Sequence, residues 1–367
     1  MTIGSGRPKH TARQQRALVF GFHGKLNYGD DIFVEVMRRH GERILGKSHI
    51  SLFRSNLRPA KGLRRVWWDV TARESRIVSP LRAIEFTLRS IRWREISFCG
   101  GSLFSQWSGT HLLAYLLVAL RVCTVSAYGV SVGPIQVEGW RRHILVRLLA
   151  NCSPLVVRDE PSQRRFEREF GFKPAQGGDL AALLELDKPS GNEKTKSETP
   201  QFMTYVPCLS SDTDSVFTAR ILDRVLDPNL HVHVMSVSSN RDGGDDQLAR
   251  DIGRELESLG RSVVTSSYES LGLEGVLGVL QGTQFAISGR LHGAVMAYLI
   301  EVPFAVVNYH AKCQDFASTI QMPSELVIEY ADPTSWSRAV HAVAGGTSRQ
   351  PGVPAPEYRN QAERAYL

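Results

Sequence analysis

Cysteine is scarce in this chain and never paired. Cys99, Cys123, Cys152, Cys208 and Cys313 are scattered along 367 residues with no Cys-x-x-Cys among them. That spacing argues against both a disulfide framework and a structural zinc site, and fits a reducing compartment. Long hydrophobic runs are missing as well. The longest, Leu112 to Leu120, stops at Arg121 and is too short to span a bilayer. The N-terminal stretch is polar and basic (Arg7, Lys9, His10, Arg13, Arg16), without the apolar core of a signal peptide, and Thr2 excludes N-myristoylation. A cytoplasmic protein is the expectation. Nucleotide fingerprints are absent too. Gly21, Gly24 and Gly29 do not fit G-x-G-x-x-G, and Leu26 follows Gly24-Lys25 where a P-loop needs Ser or Thr. With no helix-turn-helix, RNA-binding signature or zinc finger, nucleic acid is not an expected partner. Asp242-Gly-Gly-Asp-Asp246 lacks the oxygen spacing of a calcium loop and reads as a polar loop capping a helix at 247–259. No metal is expected.

What the chain does have is a packed composition, with 42% hydrophobic and 22% charged residues. Its length suits two domains of ordinary size. The formal charge of +7 points to a negatively charged partner. Short apolar strands ending in glycines or charges alternate with helices. Strands are expected at 17–21, 96–102, 122–129, 155–159, 202–207, 232–237, 262–265, 285–288 and 304–309. Helices are expected from Asp30, at 109–121, 161–170, 214–226, 244–259, 269–281 and 292–300. Such alternation implies βαβ units and parallel sheets. The stretch 187–200 has no hydrophobic residue and reads as a linker. The expected organisation is therefore a basic arm (1–16), an N-terminal α/β domain (17–186), the linker, a C-terminal α/β domain (201–346) and a tail (347–367). Two doubly wound domains would face each other across a cleft, with the tail as a helix packed back on the first.

Residues 289–312 carry the densest chemistry. Arg290, His292 and Lys312 are three potential cations just past strand ends, beside glycines that let backbone approach a ligand. The set suits a small, doubly charged anion and a proton transfer; the alternative is two surface charges and a buried histidine at a helix start. Arg158, after an apolar strand, either binds a ligand or pairs with Asp159 and Glu160. Asn27 and Asp30 either hydrogen-bond a sugar or build a turn and cap a helix. Gly100-Gly101-Ser102 either offers backbone N–H groups to an anion or is only a tight turn. The segment 61–94 is basic and aromatic: Arg64, Arg65, Trp67 and Trp68 are followed by Arg73, Arg76, Arg82, Arg89, Arg92 and Arg94, with Phe86 and Trp93 among them. It suits an anionic membrane surface or an acidic, lipid-linked substrate, or else a solvated helix face with core aromatics.

Taken in order, Asn27-x-Gly29-Asp30, Cys99-Gly-Gly-Ser102, Tyr128-Gly-Val-Ser-Val-Gly-Pro134, Val157-Arg158-Asp-Glu, Gly177-Gly-Asp179, Gly289-Arg-Leu-His-Gly293 and Asn308-Tyr309-x-x-Lys312 form a set. It resembles the polysaccharide pyruvyltransferase family over about residues 18 to 318. The arm, the 61–94 region, the long linker and the tail depart from that pattern. The resemblance implies a two-domain fold similar to GT-B glycosyltransferases. It also implies transfer of a pyruvyl group from phosphoenolpyruvate to a sugar of a polysaccharide or exopolysaccharide, or of its lipid-linked precursor, closing a ketal across two hydroxyls. It associates Arg158, His292 and Lys312 with donor binding. Arg290 joins them here for its place beside His292 and its bidentate capacity. His292 would be the catalytic acid and base. Asn27, Asp30, Gly100, Gly101 and Ser102 would line the acceptor side. No cofactor is implied, and a peripheral contact with the inner face of the membrane is compatible. Two alternatives stand: a GT-B-type glycosyltransferase using a nucleotide sugar, and a non-catalytic carbohydrate-binding protein on the same fold. The acceptor sugar, the ketal's position and stereochemistry and the oligomeric state are left open.

Overall fold

The computed structural model describes residues 16–21, 26–53, 78–132, 137–186, 202–210, 213–239, 244–346 and 350–367. The basic arm before Arg16, the linker at 187–200, Arg64–Arg76 and Asp242 lie outside the described residues. Six parallel strands form the first sheet: β1 (Arg16–Phe20), β2 (His49–Leu52), β3 (Glu95–Cys99), β4 (Thr124–Val130), β5 (Cys152–Val157) and β6 (Ala175–Gln176), in the order β2-β1-β3-β4-β5-β6. Six more form the second: β7 (Phe202–Val206), β8 (His231–Ser236), β9 (Val263–Ser267), β10 (Ala286–Ser288), β11 (Phe304–Val307) and β12 (Val327–Ile328), in the order β12-β11-β10-β7-β8-β9. The central strands are apolar on both faces: Ala17, Leu18 and Val19 of β1 and Ala286 and Ile287 of β10 have no exposed surface. Parallel strands covered by helices on both sides need that pattern.

The connecting helices are α1 (Tyr28–Leu45), α2 (Val78–Trp93), α3 (Gly109–Ala119), α4 (Gly139–Ala150), α5 (Glu160–Phe170), α6 (Ser215–Val225), α7 (Asp246–Ser258), α8 (Tyr268–Gly282), α9 (Leu291–Leu299), α10 (Ala311–Thr319), α11 (Pro333–Ala344) and α12 (Ala355–Tyr366). In the first sheet the strand order reverses between β1 and β3, in the second between β7 and β10. Ligands in such sheets collect outside the carboxyl ends of the strands at these reversals. Here the two sets of carboxyl ends meet.

The meeting is tight. The turn after β1 pairs with the end of β8: Tyr28 N donates to Val237 O at 3.0 Å, and Ser239 N to Leu26 O at 2.9 Å. The Tyr268 hydroxyl donates to Asp31 at 2.7 Å, and Arg165 of α5 grips Asp315 of α10 through two 2.6 Å hydrogen bonds. A single apolar cluster runs through both halves, from Val19, Ile32 and Leu180 to Val206, Leu291 and Val295. α12 adds Tyr358 to it and ends with the Tyr366 hydroxyl on Gly178, donating to its O at 2.7 Å and accepting from its N at 3.3 Å. The tail thus forms a helix, and it packs against both halves, on Gly178 of the first and on Tyr298 and Phe316 of the second. α2, α4, α10 and α11 and the edge strands β2, β6 and β12 were not separately expected. The Asp242–Asp246 loop needs a correction: Asp245 occupies the position before α7, but its side chain makes no capping hydrogen bond.

Candidate functional site

His292 is the second residue of α9, where the chain leaves β10 through Gly289 and Arg290. Its ring is pinned from the other half of the molecule. A Cβ on Gly29, in the first turn of α1, would lie 1.9 Å from His292 Nδ1, so only glycine fits there. Phe33, one turn further along α1, meets the imidazole edge-on with ring centroids 5.1 Å apart. Phe33 in turn lies on Gly100, where a Cβ would come within 2.4 Å of its ring and φ is +69°. Three positions singled out from the sequence, Gly29, Gly100 and His292, are thereby linked by contact.

Arg158 leaves β5 almost wholly buried. Its Nε donates to Asp159 Oδ2 at 2.9 Å, and Nη1 lies 3.5 Å from Asp179 Oδ2. Arg158 thus pairs with its neighbour Asp159, while its Nη2 has no hydrogen-bond partner. Burial alone would lower its pKa, but Asp159 and Asp179 outweigh that and keep the guanidinium charged. Burial would likewise raise the Asp159 carboxyl, yet Arg158 and the Ser162 N–H hold it below its ordinary value. The same Asp179 oxygen lies 3.9 Å from His292 Nε2, which also lacks a hydrogen-bond partner.

Burial pushes His292 down to about 4; Asp179 opposes this, and Arg158 and Lys312 reinforce it. Its ring is therefore neutral near pH 7. Lys312, in the first turn of α10, has its ammonium 5.7 Å from the Tyr309 ring centroid. Burial, with Arg290 and Arg158 nearby, depresses its pKa. The Tyr309 hydroxyl is a third buried polar atom without a partner. Beside it a cavity of about 100 Å³ opens at the ends of β7, β10 and β11, lined by Cys208, Gly289, Asn308 and Tyr330 among others.

Arg290 is placed differently from the other cations. Its Nε and Nη2 are held by Asp245 at 2.6 Å each, and Asp245 Oδ1 also accepts from Leu209 N at 2.8 Å. The pair is neutral as a unit, so Arg290 ties the β10–α9 turn to the loop before α7 rather than presenting an open fork. In the turn after β1, Asn27 caps α1 by accepting from Gly29 N at 3.1 Å, and Asp30 is half-buried in the first turn. The Gly100 N–H is taken by Tyr128 O, Gly101 O accepts from Ser131 N, and the Ser102 hydroxyl bonds that of Ser131 at 2.9 Å. The Gly100 N–H of this turn is thus used within the fold. Asp179 and Tyr309 had no role assigned from the sequence, although both stand in its ordered motifs, and Asp245 was read only as part of a capping loop. Among the described residues no cluster of three or more His, Cys, Asp or Glu side chains is arranged to hold a metal ion.

The site can do two things chemically. The charged Arg158, with its unpartnered Nη2, and the neighbouring Lys312 suit an anion. A neutral imidazole suits acceptance of a proton.

A model of the family described as polysaccharide pyruvyl transferase matches residues 27–311. No curated protein matches the sequence. Similar solved structures include Anabaena HepE in complex with UDP and glucose, with a TM-score of 0.59 at 9% identity, covering 96% of this chain and 95% of that one. The UDP-GlcNAc 2-epimerase of Methanocaldococcus jannaschii reaches 0.59 at 10% identity, covering 95% and 98%. Sucrose-phosphate synthase of Thermosynechococcus elongatus reaches 0.54 at 12% identity, covering 95% and 94%. At such identities these structures speak for the fold alone, two Rossmann-like domains arranged as in GT-B enzymes.

Proposed function

Because the chain belongs to the polysaccharide pyruvyl transferase family, we propose that it transfers a pyruvyl group from phosphoenolpyruvate to a saccharide and closes a ketal across two of its hydroxyls. The observation that carries the reading is the set of buried polar atoms without partners, Arg158 Nη2, His292 Nε2 and the Tyr309 hydroxyl, in the field of Lys312. Unpaired buried polar groups cost free energy, and a ligand with several acceptor oxygens relieves that cost. Phosphoenolpyruvate has a carboxylate and a phosphate for the two cations.

In this scheme the enol methylene is protonated, leaving a cationic carbon that a sugar hydroxyl attacks. Phosphate then departs and a second hydroxyl completes the ketal. The donor's negative charge raises the pKa of His292, so that its imidazolium gives a proton to the enol methylene and the neutral ring then takes that of the attacking hydroxyl; the second hydroxyl's proton leaves with phosphate. Arg158 and Lys312 clamp the donor. Arg290 contributes through the turn it braces, and the acceptor enters over the Asn27–Asp30 turn of the first half. No cofactor takes part.

The test begins with thermal unfolding in the presence of phosphoenolpyruvate. A bound ligand stabilises by RT ln(1 + [L]/Kd), so saturating donor raises Tm, and Arg158→Ala or Lys312→Ala removes the rise. His292→Gln keeps the rise and loses turnover by roughly 10²–10⁴-fold. A rise with UDP- or GDP-sugars and none with phosphoenolpyruvate would instead favour glycosyl transfer, the reading the fold alone permits.

A further inference from the structure

α2 and α3 pack side by side on the outer layer of the first sheet. Both bury an inner face, with Phe86 and Ser90 on α2 and His111, Ala114 and Leu117 on α3. A helix in that layer should present polar residues outward. Instead α2 carries a second aliphatic row at helical spacing: half-buried Leu81, then Ile84, Leu88 and Ile91, with Leu88 63% exposed. On α3, Leu116 does the same, followed by Leu120, 72% exposed just past the helix end. The C-terminal ends of the two helices are tied together, the Cys123 thiol donating to Ser90 O at 3.2 Å and Arg94 Nη1 to Val122 O at 3.4 Å. Elsewhere among the described residues, large exposed hydrophobics occur only at Trp140, Leu209, Leu259 and Val264. Single exposed apolar side chains are ordinary, whereas a row along one helix with two more beside it on the next marks an interaction surface.

Charge says what kind. Residues 78–151 hold eight arginines against three glutamates, with no lysine or aspartate. Two of those glutamates already have cationic partners, Glu85 with Arg89 and Glu95 with Lys47. Arg92, Arg94 and Arg121 are exposed at the end of the apolar rows. On the neighbouring α4, the Arg141 guanidinium lies 5.5 Å from the centroid of the exposed Trp140 ring. An aliphatic centre with a cationic rim and an amphipathic aromatic beside it is the make-up of helices that lie in a membrane interface. A second copy of the same face would set these arginines against themselves, which disfavours self-pairing.

We propose that the α2–α3 face docks on an anionic lipid bilayer. Among the described residues no helix is long and apolar enough to cross a membrane, so the contact is peripheral. The aliphatic rows enter the headgroup boundary and the arginines meet lipid phosphates. The proposal stands apart from the pyruvyl reading, since docking needs neither donor nor acceptor.

The experiment is sedimentation of the purified full chain with phosphatidylcholine vesicles, with and without phosphatidylglycerol. The expected result is binding to the anionic vesicles at low salt, weakening as salt rises. Leu88→Glu combined with Leu120→Glu should reduce binding at least about tenfold without lowering Tm, because both positions are solvated in the free protein. Absence of pelleting with anionic vesicles would overturn the proposal, as would undiminished pelleting of the double variant. A wild-type dimer that the double variant converts to monomer, with no vesicle binding, would reassign the face to self-association.

Discussion

At the scale of residues, the site depends on what glycine leaves out. The first turn of α1 passes so close to His292 that a methyl group on Gly29 would strike the imidazole. Gly29→Ala should keep a folded chain, since position 29 tolerates alanine's backbone angles, while moving the ring. We expect kcat to fall by about tenfold or more, because displacement of a catalytic group by about 1 Å can cost that much; circular dichroism checks the fold alongside. Asp179 is the other lever. It lies between Arg158 and His292 with almost no exposure. Asp179→Asn removes the more distant of the two carboxylates beside Arg158, which keeps its pairing with Asp159, so a loss of about 1–3 kcal/mol is expected. Urea unfolding should show the loss. The sequence exposed His292, Arg158 and Lys312 because each follows a strand end. It hid the partner of Arg290, because Asp245 reaches it only after the chain has folded across two strands.

At the scale of elements, legibility followed burial, with β9 the exception, an edge strand read from the sequence although none of its residues is buried. β1, β3, β4, β7, β8 and β10 stood out as apolar runs since each is covered on both faces. β2, β6 and β12 did not, being short strands at or near sheet edges with few buried residues. α4 hid behind arginines at nearly every turn, and α10 behind a sequence of mixed polarity. α12 appeared only as a tail, though it buries Tyr358, Ala362 and Tyr366. Its last tyrosine fastens the turn that carries Asp179. Tyr366→Phe leaves buried backbone groups of Gly178 without their partner, so a loss of about 1–3 kcal/mol is expected in urea unfolding.

At the scale of the whole molecule, buried histidines set the response to acid. His292 and His111 are both held down to about 4, mainly by burial. Above pH 6.5 neither contributes, since folded and unfolded forms are both neutral. Between 6.5 and 4 the unfolded chain takes up protons that the folded chain refuses. Stability therefore falls on acidification through that window, by roughly 1.4 kcal/mol per pH unit for each histidine. Tm measured from pH 7 to pH 5 should drop, and drop less in His292→Gln.

The two sheets also share one apolar cluster, a backbone bridge at Asn27–Ser238 and the Arg165–Asp315 grip. These contacts hold the halves in place. A gene divided between the codons of Leu186 and Phe202 and expressed as two polypeptides is expected to yield fragments that recognise each other and together bind the proposed donor. Neither fragment alone should do so, because Gly29 and Arg158 would travel on one and His292 and Lys312 on the other.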